Sequence, residues 1–215
     1  MRKIAIVGLL LLAVPRLAWA ALDYVIIPGQ RVGEIRASTS ESDLIRIYGS
    51  SNVVKSDVYV GEGESVPGTT LFAGDAERTL QIIWKSTPVM SNPESIYVQG
   101  KRWRTTNGLG LDSSLKEIEK LNGGPIEIFG FEWDYGGTIA NCLDGKLNYL
   151  GTNGPTGLQG RTLIMRLAPE SHVWDTIQRE EMDQVMGDRI YRSDDPVMQK
   201  LNPRAYQVIV TFKSQ

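Results

Sequence analysis

Apolar and polar residues change period repeatedly along this chain, and each change marks an element. DYVIIPG, from Asp23, predicts a short strand. In STSESDLIRIYGS, Leu44, Ile47 and Tyr48 fall at helical spacing. Ser40 and Asp43 form an N-terminal cap region there, and Gly49 supplies the stop. NVVKSDVYVG predicts a strand, while GEGESVPGTT reads as a loop. In RTLQIIWK, residues Leu80, Ile82 and Trp84 share one face, the period-two signature of a half-buried strand. Residues 86–95, STPVMSNPES, combine two prolines with polar residues and predict a connector. SIYVQGKRWRT follows as a strand or hairpin.

The second half echoes this order. LDSSLKEIEKLNGGP predicts a helix capped by Asp112 or Ser113, with Leu115, Ile118 and Leu121 on one face and Gly123 as its stop. Aligning Gly49 with Gly123 sets Leu44 against Ile118 and Ile47 against Leu121. Arg78-Thr79-Leu80 and Arg161-Thr162-Leu163 then open a strand in each half. A chance match of short helix–strand patterns is the alternative. TIANCL and KLNYL flank Asp144-Gly145, a strong two-residue turn signal, and predict a hairpin. Residues 151–160 read as a flexible loop. SHVWDTIQREEMDQVMG is helix-like with imperfect spacing. DDPVMQKLN predicts a short helix with Asp195 as cap and Pro196 in the first turn, where a missing N–H costs nothing. AYQVIVTFK alternates as a final strand. No parallel βαβ rhythm is present, so the expected class is α+β with two related helix-on-antiparallel-sheet units packed together. They would span residues 21–90 and 91–215, the second carrying the C-terminal helix and strand. A single domain over both is the alternative.

The first twenty residues change the picture of where this fold works. Arg2 and Lys3 precede an apolar run, Ile4 to Val14, and Ala18-Trp19-Ala20 fits a small-residue cleavage site. That is the pattern of a secretory signal peptide over 1–20. Pro15 and Arg16 cut the run short of the roughly 20 apolar residues that span a bilayer. The expectation is a periplasmic or secreted protein with no stable membrane insertion after signal cleavage. The 215 residues less these 20 leave 195, and the formal charge of −2 becomes −5 without Arg2, Lys3 and Arg16. Mild acidity argues against nucleic acid, whose phosphates need a basic surface. Cys142 is the one cysteine, so packing rather than internal disulfides must hold the exported fold. A nucleophilic thiol would need a basic partner, and the one histidine, His172, lies in a different segment.

Candidate chemistry concentrates in FGFEWDYGGT, residues 129–138. Read as one strand, it puts Phe129, Phe131, Trp133 and Tyr135 on one face and Gly130, Glu132 and Asp134 on the other. Ile126 and Ile128 have the opposite parity, so a bulge near Gly130 or burial on both faces is required. The aromatic side packs in a core or, alternatively, forms an exposed platform. Glu132 and Asp134 would lie roughly 7 Å apart at strand rise, a separation that overlaps those of glycosidase carboxylates at about 5–9.5 Å. Glycosidase acids, however, flank the scissile bond, whereas two residues on one strand face lie on the same side of a substrate. Glu132, Trp133, Asp134 and Tyr135 are therefore candidate binding residues, with no catalytic set. Glu62 and Glu64 could contact a cation, but two carboxylates are few for calcium. One His and one Cys do not make the usual zinc sets. No nucleophile elbow, phosphate loop or zinc-protease motif occurs. No metal or cofactor is expected.

Leu121-Asn122-Gly123-Gly124-Pro125 ends a helix, and Trp133-Asp134-Tyr135 follows in the next segment. This run of about 50 residues resembles small exported α/β modules, the SmpA/OmlA-like outer-membrane assembly proteins and the tandem-repeat β-lactamase inhibitor proteins. The extra glycine and the missing lipid-attachment cysteine depart from the lipoprotein family. The resemblance implies a helix-on-sheet scaffold in the cell envelope that binds a protein partner rather than catalysing a reaction. The expected function is thus a non-enzymatic envelope protein engaging another protein through a sheet face or loop. The alternative is a carbohydrate- or peptidoglycan-binding or hydrolysing protein using Trp133, Tyr135 and the nearby acids. A small-ligand module with a cleft between two repeats is a third possibility.

Overall fold

The computed structural model describes residues 22–152 and 161–212. The expected signal segment and residues 153–160 of the expected Gly-rich loop lie outside them.

The fold is mixed α+β, with three sheets and a few short helices. In chain order the elements are β1 (Val25–Ile27), β2 (Arg31–Val32), β3 (Ile35–Arg36), α1 (Glu41–Tyr48), β4 (Val53–Gly61), β5 (Glu64–Leu71), β6 (Leu80–Ser86), β7 (Ser91–Val98) and β8 (Arg104–Thr105). Then follow α2 (Leu115–Asn122), β9 (Glu127–Phe129), β10 (Ile139–Asn141), β11 (Leu163–Ala168), α3 (Ser171–Trp174), α4 (Arg179–Asp183), β12 (Ile190–Arg192), α5 (Pro196–Leu201) and β13 (Arg204–Thr211).

The main sheet has the order β11-β13-β7-β6-β5-β4, with every neighbouring pair antiparallel. Two apolar rows cross it. Leu80, Val98, Val208 and Met165 pair in one row, and Ile82, Ile96, Val210 and Leu163 in the next. All eight side chains are buried in a core cluster with Leu44 of α1 and Leu115 and Ile118 of α2. Each contributes roughly 1.5–3 kcal/mol by leaving water. Strand alternation puts Gln81, Ile83, Tyr97, Ile209, Ile164 and Arg166 on the opposite face. Ile164 and Ile209 are buried there yet stand outside the core cluster.

Both longer helices start the same way. Ser40 caps α1 in a reciprocal box with Asp43, and Ser114 caps α2 in one with Glu117. Glu41 N–H donates to Met90 O and Leu115 N–H to Pro203 O, each at 2.8 Å. Asn92 N–H donates to Thr39 O, and Ala205 N–H to Ser113 O. Each helix start is therefore laced to the start of a strand, β7 or β13. At the far ends, Gln99 N–H donates to Thr79 O and Thr211 N–H to Thr162 O, both at 3.0 Å. Tyr97 pairs with Ile209 within the β7–β13 ladder, between the pairs Val98–Val208 and Ile96–Val210. Thr138 forms an isolated antiparallel bridge with Arg166, bringing the chain beside β10 against β11.

Two smaller sheets complete the fold. One has the order β3-β2-β1-β8, with β8 parallel to β1. The other, β10-β9-β12, is built with the segment between β11 and β13. That segment is tied to α2 through Glu119, which accepts from Gln199 Nε2 at 3.0 and 2.9 Å and from the Ser193 hydroxyl.

Several expectations change. GEGESVPGTT is not a loop: β5 begins at Glu64, and only a turn with Glu62 and Gly63 at positive φ separates it from β4. Gly68 lies so close to β6 that a Cβ would sit 2.5 Å from Ile82 O, which is why a glycine stands inside this strand. The connector shrinks to residues 87–90, because Ser91 to Ser95 belong to β7 and Pro93 pairs with Trp84. The cap of α2 is Ser114, not Asp112 or Ser113; the Ser113 hydroxyl accepts from Gly110 N–H instead. KLNYL forms no strand around Asp144-Gly145. Buried Asn122 accepts from Leu147 N–H and donates to Cys142 O, holding this turn against the end of α2. The stretch from Ser171 breaks into α3 and α4 rather than one helix. Among the described residues, no helix is long and apolar enough to cross a membrane.

Candidate functional site

FGFEWDYGGT is not one strand. β9 ends at Phe129, and residues 130–137 form a turn that returns the chain to β10. Phe129 N–H donates to Thr138 O at 2.9 Å, closing its base. Gly137, at φ 71°, donates to Phe129 O and Gly130 O, and Thr138 donates to Tyr135 O. A side chain at 137 would collide with Leu167 O, so glycine is required where the turn meets β11. Gly130 is equally confined, with a Cβ placed 2.6 Å from Gly187 O.

The turn breaks the parity expected of its side chains. Phe129 and Phe131 are buried, and Phe131 meets Trp174 edge-on at 5.6 Å. Trp133 and Tyr135 are half-buried. Trp133 stacks edge-on to Phe129 at 5.5 Å and lies 5.3 Å from Tyr135, and its indole N–H donates to Gly130 O at 2.9 Å. Glu132, exposed at φ 62°, lines a pocket of about 220 Å³ with Trp133, Trp174 and Tyr206. Asp134 and Tyr135 open instead on a groove of about 450 Å³. The two acids thus serve different concavities, and the shared acidic face expected from strand alternation does not form.

The larger groove runs between the 130–137 turn and the tip of the β4–β5 hairpin. Tyr59, Glu62 and Glu64 line it from the hairpin, Asp134 and Tyr135 from the turn, and Arg166 from β11. The Arg166 guanidinium lies 5.6 Å from the Tyr135 ring centroid, within reach of a cation–π attraction. Neighbouring Tyr97 has its pKa raised by burial, with the positive charge of Arg166 opposing that rise. Arg166 was absent from the sequence candidates. Its only trace there is a charge that follows the apolar run Leu163-Ile164-Met165 in the RTLIMRL strand; its approach to Tyr135, 31 positions away, is tertiary.

Other candidates separate. Cys142 is buried, and desolvation pushes its thiol up to about 12, with Arg161 opposing, so it stays protonated at neutral pH. His172 is exposed beside Glu170. Glu62 and Glu64 share the hairpin tip, and no group of three or more potential metal-binding side chains occurs among the described residues. No family model, curated protein or solved structure matches the chain.

Proposed function

We propose that this is a non-enzymatic exported cell-envelope protein, built from two related helix-on-antiparallel-sheet units, that binds another protein through the sheet face turned away from α1 and α2. The observation that carries the binding reading is the groove that Arg166 of that face lines, walled by the β4–β5 tip and the 130–137 turn. It offers aromatic and charged groups together: Tyr59, 60% exposed, Tyr135, Arg166 and three carboxylates. Tyrosine and arginine are enriched at protein interfaces because they join large contact area to directional polar groups. The two-unit reading is supported by the matched lacing of Ser40 and Ser114 to β7 and β13. Exchanging the units takes the pair Val98–Val208 to Val210–Ile96, itself a pair, and returns Tyr97–Ile209 to itself.

Site-specific photo-crosslinking in the native cells tests the binding reading. A crosslinkable residue at Tyr59 or Asp134 should give a discrete protein adduct, and one at exposed Ile190 should not. No adduct at either groove position, or robust turnover of an envelope substrate by the purified protein, would overturn it.

A carbohydrate- or peptidoglycan-binding reading rests on Trp133, half-buried and lining a pocket with Tyr206 rather than joining the core cluster. Peptidoglycan fragments should then shift Trp133 fluorescence. An emission spectrum that differs from Trp133→Phe but ignores those fragments removes that reading.

A further inference from the structure

The smaller of the two concavities beside the 130–137 turn is lined by aromatic rings from three separate parts of the chain. Phe131 and Trp133 come from the turn, Trp174 from α3 and Tyr206 from β13. Its volume of about 220 Å³ is below the roughly 300–1,000 Å³ of pockets that enclose drug-sized ligands, so it suits one compact group. The rings are braced by other contacts. Phe131 and Trp174 meet at 5.6 Å with their planes at 90°. Trp133 packs edge-on against Phe129, and its indole N–H is already donated to Gly130 O. Among the described residues no ring contact joins Trp133, Trp174 and Tyr206 to one another, so they line the pocket without stacking on each other. All three keep accessible surface: both tryptophans are half-buried and Tyr206 is exposed. One charged side chain lines the pocket, Glu132, which is exposed and has no ion-pair partner among the described residues. No Lys, Arg or His lines it. Arg204, two residues before Tyr206 on β13, faces Glu170 at 3.8 Å instead.

We propose that this pocket binds a quaternary ammonium group. Aromatic faces carry the negative part of the ring quadrupole and attract a cation held within about 6 Å of the centroid. Glu132 supplies the formal charge of opposite sign. The lining favours a quaternary over a primary ammonium. A lysine-type ammonium is strongly hydrated and brings three N–H donors that need acceptors. The lining side chains offer the Glu132 carboxylate and the Tyr206 hydroxyl as acceptors, and the rest is ring, leucine, alanine and proline surface. A trimethylammonium group has no N–H to satisfy and presents methyl groups to the rings. A neutral sugar would leave the Glu132 charge uncompensated and would find the Trp133 donor already spent. The pocket shares no lining residue with the groove of about 450 Å³. This inference therefore goes beyond the protein-binding reading and does not rest on it, and it assigns the Trp133 pocket to a cation in place of a carbohydrate.

The test uses the full ¹⁵N-labelled chain at constant ionic strength. The indole N–H resonances of Trp133 and Trp174, assigned by their loss in Trp133→Phe and Trp174→Phe, are followed by NMR. Choline should shift both saturably. Dimethylbutanol, its neutral isostere with carbon in place of nitrogen, should bind roughly tenfold more weakly. Glu132→Gln should weaken choline roughly threefold and leave dimethylbutanol unchanged. Glycerophosphocholine and acetyl-trimethyllysine-amide carry the same group on a lipid headgroup and on a protein side chain. Tighter binding of either than of choline supports the pocket and names that source, and choline tighter than both supports it as a site for a free cation. Indole resonances unmoved by choline, equal binding of choline and dimethylbutanol, or choline binding unchanged in Glu132→Gln overturns the proposal. N-acetylglucosamine shifting the same indoles where choline does not also overturns it, in favour of the carbohydrate reading. If Glu132→Gln does not fold, the ratio of choline to dimethylbutanol affinity in the wild-type chain decides. If a tryptophan variant does not fold, triple-resonance assignment replaces it.

Discussion

Asp43 shows how a single side chain can serve the backbone and depend on it. Hydrogen bonding from the Ser40 hydroxyl, followed by Arg46 and the Ser40 backbone N–H, lowers its pKa to about 2. A depressed carboxyl pKa stabilises the fold above the ordinary value of 3.8, and that contribution is lost as pH falls toward about 2. A carboxyl ¹³C titration should find the Asp43 midpoint near 2. In Ser40→Ala the midpoint should rise, because the largest stabilising hydrogen bond to the carboxylate is gone; an unchanged midpoint would assign the shift elsewhere. This cap was legible in the sequence because the whole interaction lies within four residues. The cap of α2 was misplaced by one or two residues because three consecutive residues, Asp112, Ser113 and Ser114, can all accept from a helix start. Only the fold, by turning Ser113 toward Gly110 N–H, leaves Ser114 for the helix.

At the scale of elements, glycine decides the shape of the candidate site. Residues 130–137 have the alternating letters of a strand, but Gly137 lies at positive φ and touches β11 with its backbone. Its N–H closes the turn onto Phe129, and its carbonyl accepts from Leu167 N–H at 2.8 Å. Gly137→Ala should destabilise the protein by about 3 kcal/mol or more, since it adds left-handed strain to a backbone clash. Urea unfolding with tryptophan fluorescence measures this, and a loss under about 1 kcal/mol would show that the turn can relax away from β11. Gly68 teaches the complementary lesson. There a glycine and a proline hide a strand, and the close approach of β6 is the reason a glycine stands at 68.

Over the whole molecule, β7 joins the halves. It pairs with β6 on one side and β13 on the other, so strands from residues 53–98 and 163–211 share one sheet and one core cluster. The position between residues 90 and 91, where composition suggests a unit boundary, falls at the turn leading into β7. An isolated 22–90 fragment would expose Leu80, Ile82 and Trp84 without Ile96 and Val98 above them. It should give a collapsed amide spectrum with poor dispersion, whereas a fragment extended to residue 105 should gain dispersion. A well-dispersed spectrum from 22–90 would show that the first unit closes its core without β7.

The sequence alone determined what depends on neighbours along the chain: the helices α1 and α2 and the cap of α1, the alternating strands β6 and β13, the strand β11, the cap of α5, and the mixed α+β class. Periodicity and capping act over a few residues, so their signals survive without a fold. It also singled out Glu132, Trp133, Asp134 and Tyr135 as chemically dense, but not how they are divided. Tertiary structure alone decided that the segment turns, that Glu132 and Asp134 face different concavities, and that Arg166 meets Tyr135. Those outcomes come from non-local contacts, above all the approach of Gly137 to Leu167 and of Thr138 to Arg166. A steric contact between distant segments leaves no period in the sequence, because it is set by the path of the chain between them.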